Sequence, residues 1–306
     1  MGKTILRRLI STVIVLIGVS IMAFALVRLG GGDPARLMLP ETATDEEVEI
    51  MRDRMGLNDP LPTQYLTYMK GVVTGDLGYS YNFKMDVATL IKNRLPYTAK
   101  LAVVAMILSI LISIPLGVVA GVHKGTGVDI FATFFALLGQ SLSPVWLGLL
   151  LILLFGVTWH ILPTQGADSW KNLIMPAICL AFQFSSLATR MTRSGMVDVL
   201  QEDYITATRA RGVSNREINV KYAFKNALLP VVTVIGSQLG SMLAGSLVIE
   251  SLFGWPGLGQ LTITAINARD FQLVQSCLLF SAFIFVACNL IVDILYTFID
   301  KRVKFA

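Results

Sequence analysis

The sequence of 306 residues contains few charged residues. Asp, Glu, Lys and Arg together make up 15% of the chain, hydrophobic residues make up 54%, and the mean hydropathy is +0.67. Soluble domains contain about 25% charged residues. This balance excludes an ordinary soluble domain and indicates a chain that lies in a membrane.

Cysteine and histidine are scarce as well. The three cysteines, Cys179, Cys277 and Cys288, all lie in apolar runs and form no C-x-x-C pair, which argues against a disulfide framework and against a cysteine zinc cluster. The two histidines, His123 and His160, are not part of an H-E-x-x-H motif, which argues against an intramembrane metalloprotease. We therefore expect no metal site and no catalytic residue.

Motifs that hold nucleotides or build hydrolase sites are also missing. The sequence contains neither a G-x-x-x-x-G-K-[ST] loop nor a G-x-S-x-G elbow. The pair Gly257-x-Gly259 fails the dinucleotide fingerprint because Thr262 stands where a third glycine belongs. If the protein uses energy, another protein has to supply it.

Six apolar segments are present. A hydrocarbon core of about 30 Å requires about 20 residues of helix. The segments are residues 9–27, 101–122, 130–157 with an interruption, 173–187, 229–249 and 277–298. They predict an all-α integral membrane protein with six transmembrane helices. The first segment could instead be a signal peptide, because it leads into the A-x-A-like site Ala23-Phe24-Ala25; its length favours a span.

Lys and Arg are distributed unevenly between the connecting segments. Two lie in the short loops predicted outside, Lys171 and Arg269. Fourteen lie in the segments predicted inside: Lys3, Arg7, Arg8, Lys124, Arg190, Arg193, Arg209, Arg211, Arg216, Lys221, Lys225, Lys301, Arg302 and Lys304. Basic residues in short loops stay in the cytoplasm, so both termini are predicted to be cytoplasmic. The net charge of +5 then reflects topology, and we expect no nucleic-acid partner.

The chain divides into three parts. Residues 1–27 form the N-terminus and first helix, residues 28–100 form an extracytoplasmic loop, and residues 101–306 form a core with five helices. The loop has a charged helical stretch at residues 45–56, with acidic residues in its first turn and a terminal glycine. The pattern predicts a small helical cap.

A polar insert interrupts the third apolar segment. It contains Gln140, Ser141, Ser143 and Pro144. Backbone groups without partners cannot face lipid, so the insert has to be buried in protein or line a watery cavity. It predicts either part of a translocation path or a proline kink packed on a neighbouring helix.

Small and polar residues recur along the fifth segment. Ser237, Ser241 and Gly245 are four residues apart, Gln238 lies beside them, and Gly236-x-x-x-Gly240 overlaps them. The pattern predicts either close helix packing or a polar strip formed by Ser237, Gln238 and Ser241 that faces a path.

The sixth segment contains an acid, Asp293, four residues after Asn289. An acid within a membrane helix is a functional candidate. Asp293 lies close to the cytoplasmic end, where snorkelling or an interhelical hydrogen bond explains it more simply.

The predicted cytoplasmic loop 190–228 contains seven basic residues. Asp203 is placed to cap a helix that ends at Gly212 in a left-handed conformation, and the capping-box sequence from Ser214 to Glu217 begins a second helix towards Pro230. The pattern predicts two helices that project into the cytoplasm and dock on a partner. A loop that only sets topology is the alternative.

The strongest motif of this loop reads EDYITATRARG at residues 202–212 and is followed by NALLP at residues 226–230. At these residues the chain resembles the permease subunits of ATP-binding-cassette importers, within the peptide and nickel uptake branch. Thr206-Ala207-Thr208 stands where the wider superfamily has Glu-Ala-Ala. Further matches are Gly32-Asp33-Pro34, Gly75-Asp76-Leu77-Gly78, Pro96, Leu162-Pro163-Thr164, Gly166, residues 250–259 and Arg269-Asp270.

The resemblance implies two sets of functional residues. Those that couple to an ATPase are Glu202, Asp203, Tyr204, Thr206, Ala207, Thr208, Arg209, Ala210, Arg211 and Gly212. Those of the family's outer loop are Glu250, Trp255, Pro256, Gly257, Gly259 and Asp270.

The resemblance also implies a setting. It implies a multi-pass protein of the bacterial plasma (inner) membrane that works with a second homologous permease subunit, two cytoplasmic ATPase subunits and an extracytoplasmic substrate-binding protein. ATP and magnesium would bind to the ATPase subunits, and this chain would bind no cofactor.

The polar groups in the predicted helices are mostly neutral, with no ring of acids for a bare cation and no basic cluster for phosphate. This favours di- or oligopeptides, glutathione included, and a nickel or other metal–chelator complex remains the alternative. An ion-coupled secondary transporter would need inverted repeats and a charged midplane site, and a membrane hydrolase would need a nucleophile with a base; we find neither.

Overall fold

The computed structural model describes residues 2–29, 35–36, 39, 42–80, 82–244 and 247–299, without the side chains of residues 2–8, 26–29, 229 and 293–299. Gly32-Asp33-Pro34, Gly245 and the side chain of Asp293 lie outside this description, so the predictions for them stay predictions. The regular structure of the described residues is almost entirely helical, which confirms the all-α class.

The elements are numbered in chain order. They are α1 (Gly2–Leu29), α2 (Asp45–Arg54), α3 (Leu61–Thr74), β1 (Tyr79–Ser80), β2 (Met85–Asp86), α4 (Val87–Val122), α5 (Gly127–Ser141), α6 (Pro144–Leu151), α7 (Ile174–Leu200), α8 (Asp203–Ala210), α9 (Asn215–Glu217), α10 (Phe224–Leu243), α11 (Leu247–Leu252), α12 (Leu258–Asn267) and α13 (Phe271–Ile299). Two π-helical turns, Ile152–Thr158 and Ile218–Ala223, follow α6 and α9, and the 3₁₀ turn Trp170–Leu173 precedes α7.

Helices α2 and α3 and a short hairpin form the cap between α1 and α4. Thr44 and Glu47 make a reciprocal capping box at the start of α2, and Gly56 follows its end with φ of +63°. Strands β1 and β2 pair antiparallel, with Tyr79 opposite Asp86. The predicted helical cap is therefore present, and the hairpin is an addition that the sequence did not predict.

Three of the described helices are long and apolar enough to cross a membrane without interruption: Val87–Val122, Trp170–Leu200 and Phe271–Val292. Two bent pairs qualify when each is taken as one span, with bends of 101° between α5 and the Pro144–Thr158 helix and 50° at Pro230. The apolar stretch Leu9–Ala25 of α1 is shorter. All six predicted segments overlap these helices, and the number of spans stays a prediction.

Several helices extend beyond the predicted segments. Helix α4 begins well before Leu101, so Pro96 lies inside a helix and its placement in a loop is wrong. Helix α7 continues past Leu187, so Arg190 and Arg193 are helical. Helix α10 ends at Leu243 instead of Ile249. A run of about 20 apolar residues marks only the part of a helix that matches the bilayer thickness. The backbone hydrogen bonds of a helix can continue into the polar residues on either side.

Helices α4 and α7 pack closely at the centre of the fold. A Cβ atom added at Gly117 would lie 2.6 Å from the Cβ of Thr192, and one added at Gly121 would lie 2.5 Å from the Cβ of Met196. Glycines at this spacing let two helix backbones approach each other. Apolar clusters lie on either side of this contact, and the one towards α8 contains Met196.

Candidate coupling surface and translocation path

Helix α8 is the element predicted to couple the chain to a partner. Its N-cap is Glu202, whose extended backbone (φ −70°, ψ 147°) suits a cap, and Asp203 is the first helical residue. The side chain of neither residue makes a capping hydrogen bond. The prediction that Asp203 caps the helix is therefore wrong by one position.

One face of α8 anchors it to the rest of the chain. The buried side chain of Ile205 packs with Met196, Ile218, Ala223 and Ala227 in an apolar cluster. These partners lie on α7, on the π-helical turn before α10 and on α10 itself. Helix α8 is thus attached to two long helices at once.

A flank of α8 makes polar contacts. The hydroxyl oxygen of Tyr204 accepts a hydrogen bond from Asn226 Nδ2 at 2.8 Å and lies 3.4 Å from the carbonyl oxygen of Tyr222. Thr208, which is buried, donates to the carbonyl oxygen of Tyr204 at 2.7 Å. The Asn226 bond joins α8 to α10, whereas the Thr208 bond lies within α8.

The opposite face of α8 is exposed. Successive residues are 100° apart around a helix, so Asp203, Ala207 and Ala210 lie on the side opposite buried Ile205, and Thr206 lies on the adjoining flank, 100° from Ile205. All four are exposed, and two are alanines, so a partner could approach the backbone closely. We call these four residues the docking face.

The turn after α8 has the predicted conformation. Gly212 has φ of +83°, and Ser214 Oγ accepts from the N–H of Glu217 at 3.3 Å. The carboxylate of Glu217 contacts Lys221 Nζ at 3.2 Å. Helix α9 then leads through the π-helical turn into α10, which continues past Pro230. The second helix predicted for this loop is therefore continuous with the predicted fifth span.

Helix α7 connects α8 to the break between α5 and α6. Arg193 forms an ion pair with buried Asp129 near the start of α5, and its Nη2 donates to Asp129 Oδ2 at 2.8 Å. One turn away, Arg190 Nη1 lies 3.4 Å from Gln140 Oε1. Sequence reasoning missed both contacts because the paired residues are 64 and 50 positions apart.

The predicted interruption of the third segment is a sharp corner. Leu142 and Ser143 are extended, Pro144 begins α6, and the Pro144 carbonyl oxygen accepts from Cys179 Sγ at 3.1 Å. The side chains of Gln140, Ser141 and Ser143 are exposed. The backbone of the corner therefore packs on α7, while its polar side chains are exposed on the surface of the chain.

The two interpretations of the fifth segment apply to different faces of α10. A Cβ added at either glycine of Gly236-x-x-x-Gly240 would meet α13 atoms at 3.3 Å or less, so the motif packs helices. Ser237 and Ser241 are exposed. Gln238 is buried and donates to the carbonyl oxygen of Phe184 at 3.1 Å. Gln238 thus lies apart from the two serines.

The predicted outer-loop residues converge on one buried carboxylate. Glu250 is fully buried and accepts from Thr98 Oγ1 at 2.8 Å, from Gly259 N at 2.7 Å and from Gln260 N at 3.2 Å. It therefore caps the N-terminus of α12 and joins it to α4. Burial raises the pKa of Glu250, although these hydrogen bonds act in the opposite direction.

Further buried residues hold the rest of the loop in place. Buried Trp255 donates through Nε1 to the carbonyl oxygen of Tyr97 at 2.9 Å, and Pro256 follows it, half-buried. Buried Asp270 accepts from Ser80 Oγ, which attaches the β1–β2 hairpin. We call the residues Thr98, Glu250, Trp255, Gly257, Gly259 and Asp270 the outer seal.

Two family models match this chain. Residues 113–305 match the family model "Binding-protein-dependent transport system inner membrane component", and residues 1–102 match the model of the N-terminal part of such membrane components. Together the two matches cover nearly the entire sequence.

Curated relatives agree with this assignment. The chain is 36% identical over 301 residues to proteins named glutathione transport system permease protein GsiC from Escherichia coli K12 and from Salmonella paratyphi A. The alignments cover 98% of this chain and 98% of each relative.

Solved structures show the same fold. A chain of the MetNI methionine ABC transporter in an inward-facing conformation aligns with a TM-score of 0.58 at 18% identity, over 69% of this chain and 96% of that one. A chain of an amino acid ABC transporter solved with histidines aligns with a TM-score of 0.51 at 18% identity, over 70% and 94%. The resemblance to the peptide and nickel branch is confirmed. This chain therefore belongs to the family of binding-protein-dependent transport system inner membrane components, as a permease subunit of an ATP-binding-cassette importer.

Proposed function

We propose that the chain forms part of the translocation path for di- or oligopeptides, glutathione included, across a bacterial plasma membrane. Family membership implies a binding protein and ATPase subunits as partners. The stoichiometry that we propose is one second, homologous permease subunit, two cytoplasmic ATPase subunits and one extracytoplasmic binding protein. The sequence has no P-loop, so ATP and magnesium are proposed to bind to the ATPase subunits.

The observation that carries this proposal is the arrangement of α8. Its docking face is exposed and has small side chains, while Ile205 and Tyr204 attach it to α7 and α10. A force applied at the docking face is therefore passed to two long helices and cannot be absorbed by a loose loop.

Helix α7 offers a route from that force to the path. Near one end it packs on α8 through Met196, and further along it holds α5 and the corner through Arg193 and Arg190. We propose that ATP-driven closure of the ATPase subunits moves α8 as a lever and shifts the corner between two arrangements. Converting a 1:99 population into 99:1 needs about 5.5 kcal/mol of differential interaction.

We infer the substrate class from the uncharged polar side chains near the corner and on α10. Gln140, Ser141, Ser143, Ser237 and Ser241 are exposed, uncharged hydrogen-bonding groups. Peptide amides need neutral donors and acceptors. The names of the GsiC relatives agree with a peptide-like cargo. We propose these residues, with Pro144 as the corner that positions them, as part of the path.

Purification of the chain with its neighbours tests the function. We expect the chain to co-purify with ATPase subunits, and uptake in vesicles to require ATP. Calorimetry of the binding protein against dipeptides, oligopeptides, glutathione and a nickel chelate then identifies the cargo. Tight binding of the chelate alone would replace the peptide assignment, and uptake without ATP would contradict the importer.

Cysteine labelling tests the orientation. A cysteine placed at Ser214 should react only with a reagent added to the cytoplasmic side, and one placed at Ser169 only from the other side. Both positions are exposed, so failure to react would not reflect burial. Reaction of position 214 from outside would contradict the six-span topology.

A further inference from the structure

A cavity of about 810 Å³ lies beside α8, between the end of α4 and the start of the α9–α10 segment. Arg209 and Arg216 both line it, together with Asn219. Arg209 projects from a flank of α8, about 160° around the helix from Ala207, 100° from Ala210 and 60° from Thr206. The cavity therefore lies on a different side of α8 from the two alanines of the docking face.

The charge in this cavity is uncompensated within the part of the chain that the structure describes. None of the ten lining residues is acidic. Neither Arg209 nor Arg216 forms an ion pair with a described residue, and the nearby carboxylate of Glu217 contacts Lys221. Two guanidinium groups that share a cavity attract an anion, and each can bind a phosphate oxygen pair through two parallel hydrogen bonds.

The other wall of the cavity is apolar. It is formed by the last turn of α4, including Val119 and Val122, and by Val220. Val119 and Val220 are exposed, with 42% and 65% of their surface accessible. Residue 122 is also the end of the predicted second span, where the sequence changes from apolar residues to His123 and Lys124. The cavity therefore lies at the boundary between membrane and water.

From these contacts we infer that the cavity binds the headgroup of an anionic phospholipid, with the phosphate at Arg209 and Arg216 and the upper acyl chain along the valines. A free phosphate would use the arginines but not the apolar wall. Basic pockets between membrane helices on the cytoplasmic side are a known way of holding anionic headgroups. The inference goes beyond the proposed function and depends only on the end of α4 lying at a membrane surface.

The test is native mass spectrometry of the full-length chain, purified in detergent and exposed to phosphatidylglycerol, phosphatidylcholine or inorganic phosphate. We expect retention of phosphatidylglycerol over the other two. In the double variant Arg209→Gln/Arg216→Gln, retention should weaken about 30-fold, which corresponds to about 2 kcal/mol at 1.4 kcal/mol per factor of ten.

The matched control removes the same charge nearby. Arg211→Gln/Lys225→Gln alters two exposed cations near the cavity that do not line it, and it should retain phosphatidylglycerol like the parent chain. Equal retention of phosphatidylcholine, equal retention of inorganic phosphate, or an equal loss in this control variant would overturn the inference. Loss of a co-purified ATPase subunit in the Arg209→Gln/Arg216→Gln variant, with lipid retention unchanged, would assign the cavity to that protein and overturn it as well.

Discussion

The outer seal and the docking face are built in opposite ways. In the outer seal, Glu250 and Asp270 are polar, buried and hydrogen-bonded by partners from distant parts of the same chain. In α8, the buried anchor is the apolar Ile205, and the polar residues on the other side are exposed. The buried carboxylates of the outer seal find their hydrogen-bond partners within this chain. The docking face is exposed, and a second protein would be needed to bury it.

This difference predicts where a substitution acts. A buried polar group that loses its partner destabilises the fold itself. An exposed helix face tolerates substitution in the isolated chain and reveals the cost only when the partner binds. The following variants are ordered by their expected effect on the stability of this chain.

Glu250→Gln should have the largest effect. Oε2 accepts from the backbone N–H groups of Gly259 and Gln260, and Oε1 accepts from the Thr98 hydroxyl. Glutamine keeps one acceptor, but its amide nitrogen would force the Thr98 hydroxyl to accept, which leaves the hydroxyl proton without a partner. We expect the free energy of unfolding to fall by about 2 kcal/mol or more, measured by denaturation of the purified chain in detergent. Gln260→Ala is the control, because it retains the backbone N–H that reaches Glu250. Equal stability of the two variants would contradict the role of Glu250.

Gly257→Ala should be the next most damaging. A Cβ atom there would overlap the Glu250 carboxylate and lie 2.5 Å from Thr98 Oγ1. Overpacking of this kind costs about 1–3 kcal/mol. Gly127→Ala is the matched control, since its Cβ would meet nothing within 4 Å. If thermal unfolding of the two variants in detergent coincided, the seal would be looser than its contacts indicate.

Gly212→Val tests the turn after α8. The positive φ of +83° strains any residue with a Cβ, and valine should cost about 1–2 kcal/mol although the space around the position is open. We also expect weaker ATPase association, because α8 would be misdirected. Gly212→Asn should be milder, since asparagine tolerates the left-handed region. Co-purification with the ATPase subunits measures the effect, and equal association of both variants with the parent chain would contradict it.

Tyr204→Phe should have the smallest effect. It removes the hydroxyl that Asn226 contacts at 2.8 Å, in a partly solvated position. We expect a loss of about 0.5 kcal/mol. Proteolysis at the turn around Gly212 should increase slightly. A loss as large as that of Glu250→Gln would show that the contact between α8 and α10 is a main support of the fold.

Local signals in the sequence were sufficient for the end of α8 and the turn that follows it. Gly212 ends α8 and Ser214 begins the next helix because each acts on backbone groups within a few residues. The corner at Pro144 is local as well, because Pro144 begins α6, where its missing N–H would have had no intrahelical partner. Proline alone does not predict a corner, since Pro96 lies inside α4.

Of the outer seal, the sequence indicated Glu250, Trp255, Gly257, Gly259 and Asp270 through the family resemblance, but not Thr98. Thr98 and Glu250 are 152 positions apart, and nothing in the local sequence brings them together. The strip predicted from Ser237, Gln238 and Ser241 is divided in the structure between an exposed and a buried face, for a geometric reason. Adjacent residues on a helix point about 100° apart, so Gln238 lies on the packed face while the serines are exposed.

Ala207→Arg tests most directly whether α8 couples the chain to an ATPase. The assembled complex, reconstituted in vesicles, is assayed for uptake and for ATP hydrolysis stimulated by the loaded binding protein, with Asn215→Ala as the control. We predict that Ala207→Arg inserts and folds normally but loses uptake and stimulated hydrolysis, because an arginine on the exposed face prevents close approach of the partner. Uptake and stimulated hydrolysis at the parent rates in Ala207→Arg would show that the docking face is not the coupling element.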